Sequence, residues 1–215
     1  IKIAPIKKII EDCRMYRENA GRDARKAAKR PYAFCYSTYE DRGFLQIGNT
    51  IGNAFDFVPV DLKQSGFVSN HNAFTIYGTH LVEFSIISST LHKAWAEAIA
   101  GRLGDGIRYG NTVVYNTFPV PKLTEKNKAD LTRCAENILL AREAHFPATI
   151  ADLYDPEKMP ENLRAAHEQN DEILARIYIG RRFKNDTERL EKLFSMYTEM
   201  TSKPNAAASR KTKGQ

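Results

Sequence analysis

Apolar residues change their spacing twice along this chain, and the changes divide it into three textures. Over residues 5–30, Ile6, Ile9, Ile10, Cys13 and Tyr16 recur at helical intervals. Gly21 interrupts that pattern, and RKAAKRP ends it at Pro31, because the residue before a proline resists the α region. From Tyr32 to about Tyr77 short β-rich runs follow (YAFCYSTY, GFLQIGN, AFDFVPVD, GFVSN, AFTIYG), separated by Gly, Asn and Asp turn signals. The run HLVEFSIISSTLHKAWAEAIAGRL, residues 80–103, then places Leu81, Phe84, Ile87, Ser88, Leu91, Trp95, Ala98 and Ile99 on one stripe. It predicts a single long amphipathic helix closing at Gly101 or Gly104.

GDGIRYGNTVVYNTFPVP reads as a glycine-punctuated loop, a short strand and a proline-bounded exit. Beyond Pro121 the texture is helical. One helix starts at Thr124 and runs to about His145, with Leu131, Ala135, Ile138, Leu139 and Arg142 in register. A second spans Glu161 to about Ile179, and a third runs from the N-cap Asp186 to about Thr201. The predicted fold is α+β. A small mixed β domain with a basic N-terminal helix (1–30) and a long amphipathic helix fills 1–121, a C-terminal helical bundle fills 122–203, and a disordered tail fills 204–215.

Charge adds a direction. The formal net charge is +6, and residues 1–30 hold ten Lys/Arg against four Asp/Glu. A basic stretch on a nearly neutral body suits a polyanion at one edge, with Arg22, Arg25, Lys26, Lys29 and Arg30 as phosphate-binding candidates. The alternative is a solvated amphipathic helix. Three widely separated cysteines, Cys13, Cys35 and Cys134, fit reduced thiols of a cytoplasmic protein better than a disulfide frame or a zinc site. No apolar run reaches the ~18–20 residues of a membrane span. The chain opens at Ile1 without an initiator methionine, as a piece of a longer protein would.

Catalytic signatures are missing from the sequence. It contains no G-x-G-x-x-G, no phosphate loop, no H-E-x-x-H, no paired cysteine spacing and no G-x-S-x-G. His92 reads as a packed or capping histidine. What remains is the segment after Arg102, where Gly104, Asp105, Gly106, Arg108, Tyr109, Asn111 and Thr112 crowd together. Glycines let backbone approach a duplex closely, Arg grips guanine with two bonds, Asn pairs with adenine, and Asp105 either accepts from a cytosine amino group or faces water. Any tight turn after a helix also uses Gly and Asp.

The run LHKAWAEAIAGRLGDGIRYGNTVVYNTFPVP (91–121) resembles a signature of large single-chain DNA methyltransferases, the MmeI-type (Type IIL/IIG) restriction-modification enzymes and their methylase relatives. That signature is H-x-x-W, G-R-L, a variable stretch, R-Y-S, then Y-N-x-F-P-x-P. It is matched by His92, Trp95, Gly101-Arg102-Leu103, Arg108-Tyr109 and Tyr115-Asn116-Thr117-Phe118-Pro119 with Pro121. RPYAF and GFVSN resemble the family's entry to its target-recognition domain. ILLAREAHFPATIADLYDPEKMPENLRAAHEQNDEI resembles its C-terminal helical segment.

The resemblance implies a target-recognition domain over 30–121 that reads double-stranded DNA. It also implies an S-adenosylmethionine-dependent adenine-N6 methyltransferase domain upstream in the same parent chain, with or without a Mg2+-dependent nuclease. The fragment itself would hold no cofactor and no catalytic residue. Sequence preference would come from Gly104, Asp105, Gly106 and Ile107 with Arg108, and from a second position around His71 and Asn72. Gly110 departs from the family serine. Glycine at 104 and 106 offers no side chain to a base, so Asp105 or Arg108 does more or specificity relaxes. Trp95 and Phe118 are expected in the core, and His167 with Asn170-Asp171 between helices. The competing readings are a separate specificity subunit acting in trans and a helical protein-interaction module.

Overall fold

The computed structural model describes residues 3–78 and 81–202. His80, placed at the start of the long helix, and the predicted tail 204–215 lie outside the described residues. The chain forms two compact units, Ile1–Glu40 and Asp41–Gln215.

In the first unit, α1 (Ala4–Glu18) carries a proline in its first turn, where a missing N–H costs nothing. A second helix, α2 (Arg22–Ala27), starts after Gly21. The turn that follows is held by one cation. Arg17 donates to the carbonyls of Ala27 (3.2 Å), Arg30 (2.9 Å) and Ala33 (2.7 Å), and Cys13 Sγ donates to Pro31 O at 3.2 Å. YAFCYSTY is not a strand. Its alternating aromatics, Tyr32, Phe34 and Tyr36, stand exposed with no ladder to join, so a period of two here reflects composition and no buried face.

The second unit holds two small antiparallel sheets. In the first, β1 (Phe44–Gly48) lies between β3 (Val60–Lys63) and β4 (Ala73–Tyr77). Leu45 and Ile47 of β1 are fully buried. In the second, β6 (Gly106–Arg108) lies between β2 (Thr50–Ile51) and β5 (Gly101–Leu103). GFVSN forms turns and loop instead of a strand.

The expected single helix over 80–103 is two. α3 (Leu81–Ile87) stops, and Ser89 caps α4 (Thr90–Ile99) by accepting from the His92 N–H. Buried Ser88 and Ser89 turn their hydroxyls back on the α3 carbonyls of Ser85 and Ile86. Serine competes with the helical ladder in this way, while the apolar stripe runs on across the break and hides it from a periodicity reading. After Ile99 the chain enters β5 at Gly101, so that glycine begins a strand and does not cap the helix.

α5 (Glu125–Glu143) is capped by Thr124. The short α6 (Ile150–Leu153) begins with a capping box between Thr149 and Asp152. α7 (Glu161–Ile179) ends on left-handed Gly180, and α8 (Asp186–Ser202) closes the described chain. α5 packs against α3 and α7, and α8 against α4. Trp95 and Phe118 are core residues, 1% and 7% exposed. Asn170 and Asp171 lock α7 to the α3–α4 break: Asn170 Nδ2 donates to Ser85 O (2.9 Å), and Asp171 accepts from Thr90 N (3.1 Å) and Oγ1 (2.7 Å). Among the described residues no helix is long and apolar enough to cross a membrane.

One buried cation joins sheet to helices. Arg142 of α5 donates to Val60 O of β3 (2.6 Å) and to the Tyr154 hydroxyl, which also bonds His167 Nε2 at 2.7 Å. Its guanidinium lies over the rings of Phe84 and Tyr154. Removing the cation takes a donor from the buried Val60 carbonyl and leaves the Tyr154 hydroxyl with His167 as its partner. Arg142→Met is expected to cost about 2–4 kcal/mol in urea unfolding, with Tyr154→Phe losing less than half as much. Equal midpoints for wild type and Arg142→Met would rule the network out as a brace.

Candidate nucleic-acid interface

The segment singled out by its glycines folds as a β-hairpin, β5 and β6 joined by Gly104-Asp105. Gly104 has φ +58 and Asp105 is not left-handed, the pattern of a turn with glycine at its first central position. The register pairs Leu103 with Gly106, Arg102 with Ile107 and Gly101 with Arg108. On the other edge Thr50 pairs with Arg108 and Ile51 with Ile107. Ile107 and Ile51 are buried. Successive residues of a strand alternate faces, so the outer face carries Thr50, Arg108, Leu103 and the bare backbone of Gly101 and Gly106.

Arg108 and Asp105 are exposed, and neither side chain makes a hydrogen bond or ion pair with a described residue. Arg102 belongs to the opposite face. It is exposed at the sheet edge, where its guanidinium donates to Asn53 Oδ1 at 2.8 Å. Asn111 and Thr112 open a five-residue π-helical turn, Asn111–Tyr115. Asn111 Oδ1 there accepts from Thr112 N at 2.8 Å and from Thr112 Oγ1 at 3.2 Å, so both lone pairs of the acceptor that a bidentate adenine contact needs are engaged within the turn.

Tyr109 is a correction. It is 2% exposed and cannot touch a base. Its hydroxyl lies 2.9 Å from His92 Nε2, and its ring packs near Phe74 and His92. Next to Arg108 in sequence, it has the opposite orientation because the chain still alternates. His92 is 1% exposed, its Nδ1 has no partner among the described residues, and burial lowers its pKa to about 3.

His71 and Asn72 are exposed in the turn before β4. One residue ties them to the hairpin. Asn49 joins β1 to β2, donates from Nδ2 to His71 O (2.6 Å) and from its N–H to Asn72 O (2.8 Å), and accepts from Tyr109 N–H at 2.9 Å. The two segments singled out in the sequence are therefore neighbours. Asn49, Asn53 and Thr50 were not among the candidates. Their only trace is the repeated Gly-Asn in IGNTIGNAF, which by itself signals turns. Arg22, Arg25, Lys26, Lys29 and Arg30 are all exposed in the first compact unit, with Lys26 3.9 Å from Asp23.

Comparison with known proteins gives three findings. A profile described as the MmeI target recognition domain matches residues 1–122, and one described as the MmeI C-terminal domain matches 123–204. DNA methyltransferase A of Bacillus subtilis (strain 168) is 34% identical over 179 residues, which is 83% of this chain and 20% of that protein. A solved structure of the Type IIL restriction-modification enzyme MmeI in complex with DNA superposes with a TM-score of 0.85 at 30% identity. It covers 90% of this chain and 26% of its own. The chain thus spans a fifth to a quarter of these relatives' length.

Two outcomes follow from the geometry. A Cβ at Gly106 would sit 2.6 Å from Thr50 Cγ2 and 3.1 Å from Ile51 O. Gly106→Ala is therefore expected to destabilise by about 1–3 kcal/mol, and adding Thr50→Ser should recover part of the loss in a thermal melt. No recovery would mean that the Thr50 methyl is not the obstruction.

The second concerns pH. His92 and His167 are both lowered to about 3, chiefly by burial, with Arg142 adding to the effect at His167. As pH falls below about 6.5 the unfolded chain takes up protons that these folded imidazoles refuse, so stability drops, by about 2 kcal/mol per histidine at pH 5. Asp171, raised to about 6 by burial, works in the opposite sense between pH 6 and 4 and returns about 1.4 kcal/mol by pH 5. A net loss of about 2–3 kcal/mol between pH 7 and 5 is expected in urea titrations; an unchanged midpoint would contradict it.

Proposed function

Because this chain belongs to the MmeI family, as its target recognition and C-terminal domains, we propose that it reads double-stranded DNA for a site-specific, S-adenosylmethionine-dependent adenine-N6 methyltransferase. The observation that carries this reading is the outer face of the hairpin. There an unpaired arginine stands between bare glycine backbone and an exposed turn, on a strand pinned by buried Ile107.

In this reading Arg22, Arg25, Lys26, Lys29 and Arg30 hold phosphates and supply salt-dependent affinity without sequence information. The hairpin, its strands about 5 Å apart, enters a major groove about 12 Å wide. There Arg108 and Asp105 address base edges, with His71 and Asn72 beside them. The target adenine rotates out of the stack into the methyltransferase portion of the longer polypeptide. Methyl transfer, and any Mg2+-dependent cleavage, are assigned to parts outside this chain. Free cysteines at 13, 35 and 134 suit work in the cytoplasm.

Duplex binding measured against salt is expected to give a log–log slope of about −0.9 for each phosphate contact. A slope near zero would remove the phosphate grip. Arg108→Ala should cost about 1–3 kcal/mol of preference for the specific over a random duplex, with the slope nearly unchanged. Unaltered preference would remove Arg108 from base reading.

A further inference from the structure

Glycine at 106 leaves a gap in a face otherwise suited to reading bases, and the structure fills it from the next strand. Thr50 of β2 pairs with Arg108 and shares its outward orientation. Its side chain leans over Gly106 so closely that a Cβ there would lie 2.6 Å from the Thr50 methyl. Thr50 is exposed, and its hydroxyl bonds no described residue. Gly101, on the other side of Arg108, adds no side chain. The upper part of the face therefore presents one guanidinium, one hydroxyl and one methyl above bare backbone.

We propose that Thr50 is a specificity-determining residue that reads a base pair adjacent to the one addressed by Arg108, in the place a side chain at 106 would otherwise occupy. The inference rests on the DNA-reading role proposed for the hairpin. A threonine hydroxyl both donates and accepts, so it can meet either a donor or an acceptor on a base edge. A β-branched side chain on a paired strand has little rotamer freedom to lose on binding. Thr50 is separated from the hairpin by fifty residues of sequence, so only the pairing of β2 with β6 brings it to this face.

The test selects bound duplexes from a randomised pool at fixed salt, using wild type, Thr50→Val, Thr50→Ser and Arg108→Ala. Valine keeps the shape over Gly106 and loses the hydroxyl; serine keeps the hydroxyl. Thr50→Val is expected to lose preference at one base pair, next to the position weakened by Arg108→Ala, by on the order of tenfold. Its salt slope should stay unchanged, and Thr50→Ser should retain the preference. A Thr50→Val profile that superposes on wild type, while that of Arg108→Ala differs, overturns the assignment and leaves the hairpin reading intact. If wild type enriches nothing, or Arg108→Ala changes nothing, the hairpin reading fails and takes Thr50 with it. Should Thr50→Val melt early, Thr50→Ala carries the same comparison.

Discussion

Burial of Ile107 governs the candidate interface. Its side chain is fully excluded from water, which is worth about 1.5–3 kcal/mol for a residue of this size. In a strand with a side-chain period of two, that single preference decides the orientation of its neighbours. Gly106 and Arg108 are thrown outward, and Tyr109 comes back into the core against His92. A slip of one residue would bury a guanidinium and expose an isoleucine, so the register is held from both sides. Ile51 of β2 repeats the constraint on the adjacent strand.

The hairpin is small and could not hold its geometry alone. β5 and β6 have three residues each and β2 has two, fewer than an independent hairpin needs in water. Support comes from the helices behind them. Arg142 carries a charge into the interior and finds a carbonyl of β3, the Tyr154 hydroxyl and two aromatic rings there. Asp171 and Asn170 of α7 fasten the α3–α4 break that leads into β5. Tyr178 of α7 donates to Pro119 O at 2.9 Å, where the chain leaves the hairpin region. The helical segment thus braces the first sheet, the helix pair that leads into β5 and the exit from the hairpin region, through buried polar contacts whose partners leave little room for alternative packings.

Much of this was legible in the sequence where local chemistry and tertiary packing agree. The helices after Thr124, the glycine-flanked turn at 104–106 and the core positions of Trp95 and Phe118 all follow from periodicity and turn chemistry. The failures have a common cause. A serine pair breaks the helix at 88–89 while the apolar stripe continues, and alternating aromatics at 32–36 form no strand because nothing pairs with them. Tyr109 looked like a surface residue because it sits between Arg108 and Asn111; only the alternation imposed by Ile107 turns it inward. Asn49 and Thr50 were invisible for the opposite reason: their importance lies in partners more than twenty residues away.

On the proposed DNA-reading role, the division of charge along the chain would separate affinity from selectivity. In the proposed reading, cations in the first forty residues that face solvent would gain from any duplex, since phosphates are the same at every step and their attraction fades with salt. Arg17 stands apart from that pool, because its guanidinium is spent on three carbonyls of the turn after α2. Selectivity needs the reverse arrangement, a few polar groups at fixed positions whose misfit is costly. Arg102 meets that need poorly, since it is tied to Asn53 on the inner face of the sheet. Arg108 would meet it well: its side chain has no partner among the described residues, its strand is pinned by a buried neighbour, and Gly101 opposite it adds no side chain.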